Sequence, residues 1–380
     1  MKYFLIAGEA SGDMHAARLM DAIRQHDADA VFVGLGGDKM QAAGCRLYQH
    51  YSKMAYMGYV AVLAHLGDIR RNIRIARQAL LSEQPDELIL IDYPGFNLRM
   101  AAYCREHLPH TRVTYYIPPK IWAWKRWRVH KIGRYCHRIL GIFPFEPDFY
   151  GGYGYSCTYV GNPTAEAIAD YQQSAISSRL SAISGQQYIV LLPGSRKHEI
   201  TNCLPKMLQG AVMAMQSAPD IRRIVVTTAP GIEQAFYEPF IRNYPMVELR
   251  SDTYDAVSHA RAAVVNSGTA TLETALLRCP QLAVYHLAGG ILLDFMRMIV
   301  LRIPHFTLVN ILAGRELIVE MLGRHFTQQA VARELQRLLG EPEHVARMQQ
   351  GYDGISKLLG TYRAAETAAA IITSDLTSNH

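Results

Sequence analysis

The feature that most restricts the fold is a repeated alternation of short apolar runs with helical patterns. The first series of runs is "KYFLIAG", "AVFVGLGG", "ELILIDYPG", "RVTYYIPP" and "RILGIFPF", and the second is "YIVLLPGS", "RRIVVTTAP", "AAVVNSG" and "QLAVYHLAG". Strands that are apolar at every position are typical of parallel sheets covered by helices on both faces. The sequence therefore predicts an α/β protein with two Rossmann-like, doubly wound domains.

The boundary between these domains is predicted in "GNPTAEAIADYQQSAISSRLSAISGQQ", where polar and small residues gather. A chain of 380 residues also exceeds the size at which one hydrophobic core keeps growing. We assign residues 1–165 to a first domain and residues 166–380 to a second, which ends in helices that pack back on the body. Ligands of doubly wound sheets bind at the carboxyl ends of the strands, so we expect function in a cleft between the domains.

Composition argues against several classes of protein. No apolar run reaches the roughly 18 to 20 residues that span a bilayer, and "MKYFLIAGEASGD" becomes charged too early for a signal peptide, so we expect a cytoplasmic protein. The six cysteines form no C-x-x-C pair and have no histidine at ligand spacing, which predicts reduced thiols and no metal site. The net charge of +6 permits an anionic partner.

One loop of the second series, "LLPGSRK", suits a diphosphate. Gly194 lets the backbone approach an oxyanion, Ser195 supplies a hydroxyl donor, and the guanidinium of Arg196 can bind two oxygens. The alternative is an ordinary basic turn at the surface.

A second loop, "NSGTATLE", strengthens the prediction of a nucleotide site. Ser267, Gly268 and Thr269 lie between a strand and a helix, where unpaired N–H groups and the helix dipole attract an anion. Glu273 follows on that helix and can accept hydrogen bonds from ribose hydroxyls. Its alternative role is that of a first-turn dipole partner or a member of a capping box.

The first series has acidic residues where the second has basic ones. The opening loop, "AGEASGD", carries Glu9 and Asp13 and no base, although a phosphate site requires N–H groups and positive charge. Asp92 ends the run "ELILID", and the turn-forming "YPG" follows, so its carboxylate can face a ligand. We take Asp92 as the candidate general base; an N-cap or turn-forming role is the alternative.

A basic segment, "KIWAWKRWRVHKIGRYCHR", interleaves three tryptophans with lysines and arginines and contains no acid. This pattern is compatible with nucleic acid, with an anionic lipid surface, or with a solvated helix whose tryptophans pack inward. Because no RNA-binding module is recognisable, we do not expect a nucleic-acid partner.

A helical pattern in "MAYMGYVAVLAHLGDIRRNIRIARQALL" combines an apolar stripe with arginines along an adjoining face. A helix facing the core and a helix lying on an anionic membrane both fit this pattern. The apolar residues at its start are Val60, Val62, Leu63, Leu66 and Ile69.

Six of these stretches together resemble one family. "AGEASGD", "IDYPGFN", "IWAWKRWRVHKI", "LLPGSRKHEI", "NSGTATLE" and "NILAGRELIVEML" occur in the order and approximate spacing of the lipid-A-disaccharide synthases, over almost the whole chain. The resemblance implies an inverting glycosyltransferase of GT-B architecture. It also implies transfer of 2,3-diacylglucosamine from UDP to the 6-hydroxyl of 2,3-diacylglucosamine 1-phosphate, in lipid A biosynthesis.

The resemblance also implies roles for individual residues. Asp92 would be the base that takes the proton of the acceptor hydroxyl, Arg196 would stabilise the leaving UDP, and Glu273 would bind ribose. Asn310 and Arg315 match another polar stretch of the family's active site, and we count Asn310 and Glu9 with Asp92 as candidate catalytic residues. No cofactor or metal is implied, because basic side chains and a helix start replace the metal.

With phosphate assigned to the second domain, the acidic loop of the first is free to face sugars. We expect Glu9 and Ser11 to bind hydroxyls on the acceptor side. Three departures from the family pattern are Asn162, where histidine is common, Val309, where proline usually precedes the asparagine, and the turn "IPPKIW", which usually contains a serine. None of them removes a residue of the implied catalytic set.

Acylated substrates make peripheral association with the inner membrane the natural expectation, with residues 60 to 69 as the docking element and the basic tryptophan segment beside it. The apolar stretches "ILLDFMRMIVL" and "NILAGRELIVEML" fit either a homodimer contact or burial within one chain.

Three other functions compete with this interpretation. A UDP-sugar epimerase of the same fold would use the same UDP site but would not need the apolar helix. A dehydrogenase is disfavoured because "GLGG" lacks a well-placed acidic residue downstream. A non-catalytic protein that binds anionic lipid would leave Asp92 and the paired loops without a purpose.

Overall fold

A computed structural model describes residues 1–54, 66–177, 187–266, 268–286 and 305–374. The chain divides into two compact units: residues 1–166 together with 361–380, and residues 167–360. Each unit contains one parallel sheet with helices, as the two series of apolar runs predict.

The first unit contains seven strands in its described residues: β1 (Lys2–Ala7), β2 (Val31–Gly36), β3 (Arg46–His50), β4 (Glu87–Ile91), β5 (Arg112–Tyr116), β6 (Arg138–Gly141) and β7 (Thr158–Tyr159). Its helices are α1 (Ala10–Arg24), α2 (Asp38–Ala42), α3 (Leu66–Glu83), α4 (Pro94–His107), α5 (Arg128–Tyr135), α6 (Glu146–Gly151) and α7 (Pro163–Ser177), the last of which continues into the second unit. The strand order is β3-β2-β1-β4-β5-β6-β7, and every pairing is parallel.

The second unit contains six strands in its described residues: β8 (Tyr188–Leu192), β9 (Arg223–Thr227), β10 (Val247–Arg250), β11 (Ala262–Asn266), β12 (Gln281–Tyr285) and β13 (Glu320–Leu322). Its helices are α8 (Lys197–Met215), α9 (Glu238–Ile241), α10 (Thr253–Ser258), α11 (Thr269–Leu276), α12 (Leu308–Ala313), α13 (Gln328–Gly340) and α14 (Pro342–Leu359). The order is β10-β9-β8-β11-β12-β13, again parallel throughout.

In both sheets the strand order reverses direction at one place, between β1 and β4 and between β8 and β11. The connections that leave these two strands run toward opposite edges of the sheet, so the loops at their carboxyl ends separate and leave a crevice. We call these places the first and second switch points.

The last helix, α15 (Ala364–Thr373), corrects the predicted domain assignment. The sequence placed everything beyond residue 165 in the second domain, whereas residues 361–380 belong to the first unit. The reason is packing: Ala365, Ala368 and Ile372 are buried in the same apolar cluster as residues of α1 such as Leu19. The expectation that a C-terminal helix packs back on the body is confirmed in this form.

Candidate functional site

The first switch point brings the acidic loop and Asp92 together. β1 and β4 are paired up to their last residues, Ala7 and Ile91, so the loop that begins at Gly8 and the turn at Asp92 and Tyr93 leave the sheet side by side. The ring of Tyr93 lies against Gly8 so closely that a Cβ there would overlap it. The Tyr93 hydroxyl donates a hydrogen bond to the carbonyl of Met54 at 2.7 Å. The glycine is therefore required by the close approach of the two loops.

The backbone at Asp92 adopts an unusual conformation. Asp92 and Tyr93 have φ angles of 43° and 46°, in the left-handed region that non-glycine residues rarely occupy. The N-cap of α4 is Tyr93, and no side chain caps that helix, so Asp92 does not serve as its N-cap. The N-cap alternative from the sequence is therefore wrong. Consecutive left-handed residues at a strand end are typical of functional sites.

The surroundings of Asp92 act on the pKa of its carboxylate in opposite directions. The residue is accessible to solvent, yet neighbouring protein atoms desolvate its carboxylate and raise its pKa. The ammonium of Lys120 and a hydrogen bond from the backbone of Tyr93 act in the opposite direction and lower that pKa. Desolvation also lowers the pKa of Lys120 itself. A carboxylate with a raised pKa beside a cation suits a group that must accept a proton.

Glu146 is a further acid near this end of the sheet, and the sequence interpretation missed it. It lies after β6, is 1% exposed, and accepts hydrogen bonds from the backbone N–H groups of Ile142 and Phe143 at 2.8 and 2.9 Å. Burial raises its pKa to about 7. The available signal was an acid that closely follows a strand in "RILGIFPFEP".

The polar residues of the acidic loop have different surroundings. Asp13 is buried, and its carboxylate accepts hydrogen bonds from the backbone N–H groups of Gly37, Lys39 and Met40 at 2.7, 3.0 and 3.1 Å. It thus stabilises the start of α2, where unpaired N–H groups favour an anion. Glu9 is the N-cap residue of α1 but its side chain does not cap the helix, and Ser11 is exposed in the first turn.

At the second switch point, Gly194 is required by its conformation and its neighbours. Its φ is 123°, and a Cβ there would lie 2.6 Å from Oε2 of Glu199 and 2.7 Å from Nδ2 of Asn266. Glu199 belongs to α8 and Asn266 ends β11, so the loops after β8 and β11 meet at this glycine. Asn266 is 6% exposed, and its Oδ1 has no hydrogen-bond partner among the described residues.

The loop after β8 offers side chains rather than a backbone cradle. Ser195 and Arg196 are exposed, as the prediction requires. Their N–H groups, however, donate to Glu199 at 2.9 and 3.2 Å, in a capping box that also pairs the carboxylate with the Arg196 guanidinium at 3.4 Å. These two N–H groups are therefore already used within the protein, and the backbone approach at Gly194 stays a prediction. The hydroxyl and the guanidinium remain as anion-binding groups.

The loop after β11 is partly described. Gly268 and Thr269 are exposed at the start of α11, while Ser267 lies outside the described residues. Glu273 is half-buried, and its Oε1 accepts a hydrogen bond from the Tyr254 hydroxyl at 3.5 Å. Desolvation raises its pKa. Because α11 has no acid in its first turn and no side-chain cap, the dipole and capping alternatives for Glu273 are wrong.

Asn310 does not fit the catalytic role that the resemblance implies. It is fully buried; its Nδ2 donates to the carbonyl of Ile318 and to Glu320, both at 2.9 Å, and its Oδ1 accepts from the N–H groups of Leu317 and Ile318 at 2.8 and 3.0 Å. Its hydrogen-bonding capacity is thus filled within the protein. The side chain holds the segment that carries Arg315, which is exposed.

The departures from the family pattern at Asn162 and Val309 lie at buried positions. Asn162 is buried and caps α7, since its Oδ1 accepts from the N–H groups of Thr164 and Ala165 at 3.0 and 3.2 Å. Its Nδ2 donates to the carbonyl of Ile142 at 3.0 Å. Val309 is fully buried in the first turn of α12, where its apolar side chain stands in the place of the usual proline.

The basic tryptophan segment divides its aromatic rings between core and surface. Trp122 is 6% exposed and packs edge-on against Phe143 and Phe145. Trp124 and Trp127 are 43% and 56% exposed. The ammonium of Lys125 lies 4.0 Å from the Trp124 ring centre, and Arg128 and Lys131 lie over Trp127. These contacts place cations and exposed aromatic rings together on one surface.

The predicted docking element is only partly described. Val60, Val62 and Leu63 lie outside the described residues, Leu66 begins α3, and Ile69 is half-buried on that helix. Of the two stretches considered for a dimer, the first, residues 291–301, also lies outside the described residues. Leu312, Ile318 and Met321 of the second stretch are buried within the chain. Burial accounts for that part of the pattern.

In the described part of the chain, no helix is long and apolar enough to cross a membrane. Among the same residues, no group of three or more histidine, cysteine, aspartate or glutamate side chains is arranged to hold a metal ion.

Comparison with known proteins now decides the family. The model of the "Lipid-A-disaccharide synthetase" family matches residues 3–372. The lipid-A-disaccharide synthase of Geobacter sulfurreducens is 33% identical over 375 residues, which cover 98% of this chain and 96% of the relative. That of Chromobacterium violaceum is 34% identical over 377 residues, with 98% and 97% covered. The chain belongs to the lipid-A-disaccharide synthase family. It is a glycosyltransferase of lipid A biosynthesis, and the resemblance of its six motifs is confirmed.

Solved structures of other proteins share the fold of this member of the lipid-A-disaccharide synthase family. A UDP-GlcNAc 2-epimerase from Neisseria meningitidis bound to UDP-GlcNAc matches with a TM-score of 0.63, covers all of both chains and is 12% identical. The glycosyltransferase of kitacinnamycin matches with a TM-score of 0.58 over 98% of both chains at 13% identity. At such low identity these similarities show the fold alone, and they confirm GT-B architecture with two Rossmann-like sheets.

Proposed function

We propose that this enzyme transfers 2,3-diacylglucosamine from UDP to the 6-hydroxyl of 2,3-diacylglucosamine 1-phosphate. The bond between C1 of the donor sugar and the UDP oxygen breaks, and a bond from C1 to O6 of the acceptor forms with inversion at C1. The hydroxyl proton goes to a carboxylate of the enzyme, and UDP leaves. The observation that carries this proposal is the carboxylate of Asp92, held at a switch point in a chain of this family.

Asp92 acts as the general base. Its carboxylate is reachable from solvent, it is not used as a helix cap, and its pKa is raised above the ordinary value by desolvation. These properties favour proton acceptance from a bound hydroxyl. Glu9 and Ser11, on the loop packed beside this turn, bind acceptor hydroxyls.

The second switch point binds the UDP moiety. Ser195 and Arg196 contact the diphosphate through their side chains, since their N–H groups are taken by Glu199. Gly268 and Thr269, together with Ser267, place the start of α11 toward the same group, and Arg315 adds a second cation. Glu273, already held by Tyr254, accepts from the ribose.

The test is UDP release from UDP-2,3-diacylglucosamine in detergent, with and without 2,3-diacylglucosamine 1-phosphate, for wild type and Asp92→Asn. We expect acceptor-dependent release and a disaccharide product of matching mass. Asp92→Asn should lower kcat by about 10²- to 10⁴-fold, the usual contribution of a general base, with UDP affinity unchanged. A folded wild-type protein that binds UDP but forms no disaccharide would contradict the proposed substrates.

We further propose that the enzyme associates peripherally with an anionic membrane, through the exposed Trp124 and Trp127, their flanking cations, and the predicted element at residues 60 to 69. Each basic residue near such a surface contributes about 1 kcal/mol, so Lys125→Gln with Lys131→Gln should weaken binding to phosphatidylglycerol vesicles roughly 30-fold at low salt. The control pair is Arg242→Gln with Arg324→Gln, both exposed in the second unit. Equal losses in sedimentation for the two pairs would contradict this surface.

A further inference from the structure

Two buried side chains converge on the backbone carbonyl of Asp92. Nδ2 of Asn97 donates to it at 2.7 Å, and the hydroxyl of Tyr115 donates to it at 2.6 Å. Both residues are fully buried, and they come from different elements, α4 and β5. Nδ2 of Asn97 also donates to the carbonyl of Ile91 at 3.1 Å, so one amide group binds two successive carbonyls.

These hydrogen bonds act on a segment with an unusual backbone conformation. Asp92 and Tyr93 both have left-handed φ angles, and the N–H of Asp92 donates to the carbonyl of Ile117 at 3.1 Å. Ile117 is itself at a φ of 60°, which is rare for a β-branched residue. An unusual conformation persists only where the surrounding structure over-determines it. The carbonyl of Asp92 is the point at which that constraint is applied.

We propose that Asn97 and Tyr115 are positioning residues for catalysis, which hold the Asp92 carbonyl and thereby aim its carboxylate at the acceptor hydroxyl. This proposal rests on the assignment of Asp92 as the base. Neither residue contacts the substrates, so their removal changes turnover and not substrate binding. A displacement of about 1 Å at a reacting group costs on the order of 10²-fold in rate, which sets the scale of the expected effect.

The matched pair for the test is Tyr115→Phe and Tyr116→Phe. Both tyrosines are buried in β5, but Tyr115 belongs to the apolar cluster on one side of the sheet and Tyr116 to the cluster on the other. Each substitution removes one oxygen atom, so the volume change is the same. We expect Tyr115→Phe to lower kcat about tenfold or more, with KM for both substrates unchanged, while Tyr116→Phe leaves kcat as in wild type.

A double-mutant comparison separates positioning from general damage. If Tyr115 acts through Asp92, adding Tyr115→Phe to Asp92→Asn should change single-turnover rates by less than about twofold, since the group being aimed is already inactive. The same tenfold loss in that background would overturn the proposal, as would normal kcat in folded Tyr115→Phe. Asn97→Ala supplies a second route to the same carbonyl and should show the same split between kcat and KM.

The outcomes also separate this proposal from the function on which it rests. Wild-type turnover in Asp92→Asn would refute the base and, with it, the positioning proposal that rests on the base. Full loss in Asp92→Asn with no effect of either Tyr115→Phe or Asn97→Ala would keep the base and refute the positioning. If Asp92→Asn shows no measurable turnover, the kcat and KM comparison of the matched pair decides alone.

Discussion

The two switch points have the same topology and different chemistry. At the first, non-glycine residues are forced into left-handed turns, and carboxylates of Glu9 and Asp92 follow the strands. At the second, Gly194 takes the positive φ, and hydroxyl and guanidinium groups follow the strands. Parallel sheets of the same kind thus offer one site suited to protons and hydroxyls and another suited to anions. The division teaches that strand order fixes where a site lies, and side chains fix what it binds.

The largest effect is expected from removing the guanidinium of Arg196 at the second switch point. Arg196→Ala should weaken UDP binding about 10- to 100-fold, because a hydrogen bond to a charged group contributes roughly 1.5–3 kcal/mol. Isothermal titration with UDP measures this effect. The control is Arg222→Ala, an exposed arginine just before β9 and so at the opposite end of the strands. Unchanged affinity in Arg196→Ala would place the diphosphate elsewhere.

A second effect is expected in the pH dependence of kcat, through the charges at the first switch point. Asp92 must be ionised to accept a proton, so kcat falls as pH is lowered through its pKa, which desolvation raises above the ordinary value. The Lys120 ammonium favours the ionised carboxylate and lowers that pKa. Lys120→Met should therefore raise the pKa of Asp92 and move the acidic limb of the kcat profile to higher pH.

The control for this pH prediction is Lys125→Met, because the Lys125 ammonium lies over the Trp124 ring. Its acidic limb should coincide with that of wild type. A limb in Lys120→Met that stays in place, or moves to lower pH, would show that Asp92 is not the titrating group or that Lys120 does not act on it.

The smallest effect is expected at the ribose. Glu273→Gln keeps the size of the side chain but weakens its acceptor strength, so affinity for UDP should fall about three- to tenfold. The preference for UDP over 2′,3′-dideoxy-UDP should fall by the same factor. Glu248→Gln, a partly exposed glutamate on β10 paired with Arg223, serves as the control. If Glu273→Gln keeps the full preference for UDP over 2′,3′-dideoxy-UDP, Glu273 does not bind the ribose.

Much of the site was predictable because loop chemistry is local. Gly194 with Ser195 and Arg196, and the acid at the end of "ELILID", are read from a few neighbouring letters, and the structure places them at switch points. Asn310 shows the limit of this approach. Its motif matched, but its burial depends on Glu320 and Ile318, which fold over it, and no local pattern reports that contact.

Apolar runs without alternation are buried only between layers of helices, so the sequence alone predicts two parallel sheets, nine of the thirteen strands in the described residues, and the chemical class of each loop. Tertiary structure decided the rest. Pairing of β1 with β4 set the acidic loop beside Asp92, packing of α15 on α1 returned the C-terminal segment to the first unit, and Asp13 became a cap for α2. Each of these outcomes depends on contacts between residues far apart in the chain. The free energies of such contacts cannot be inferred from a local run of residues.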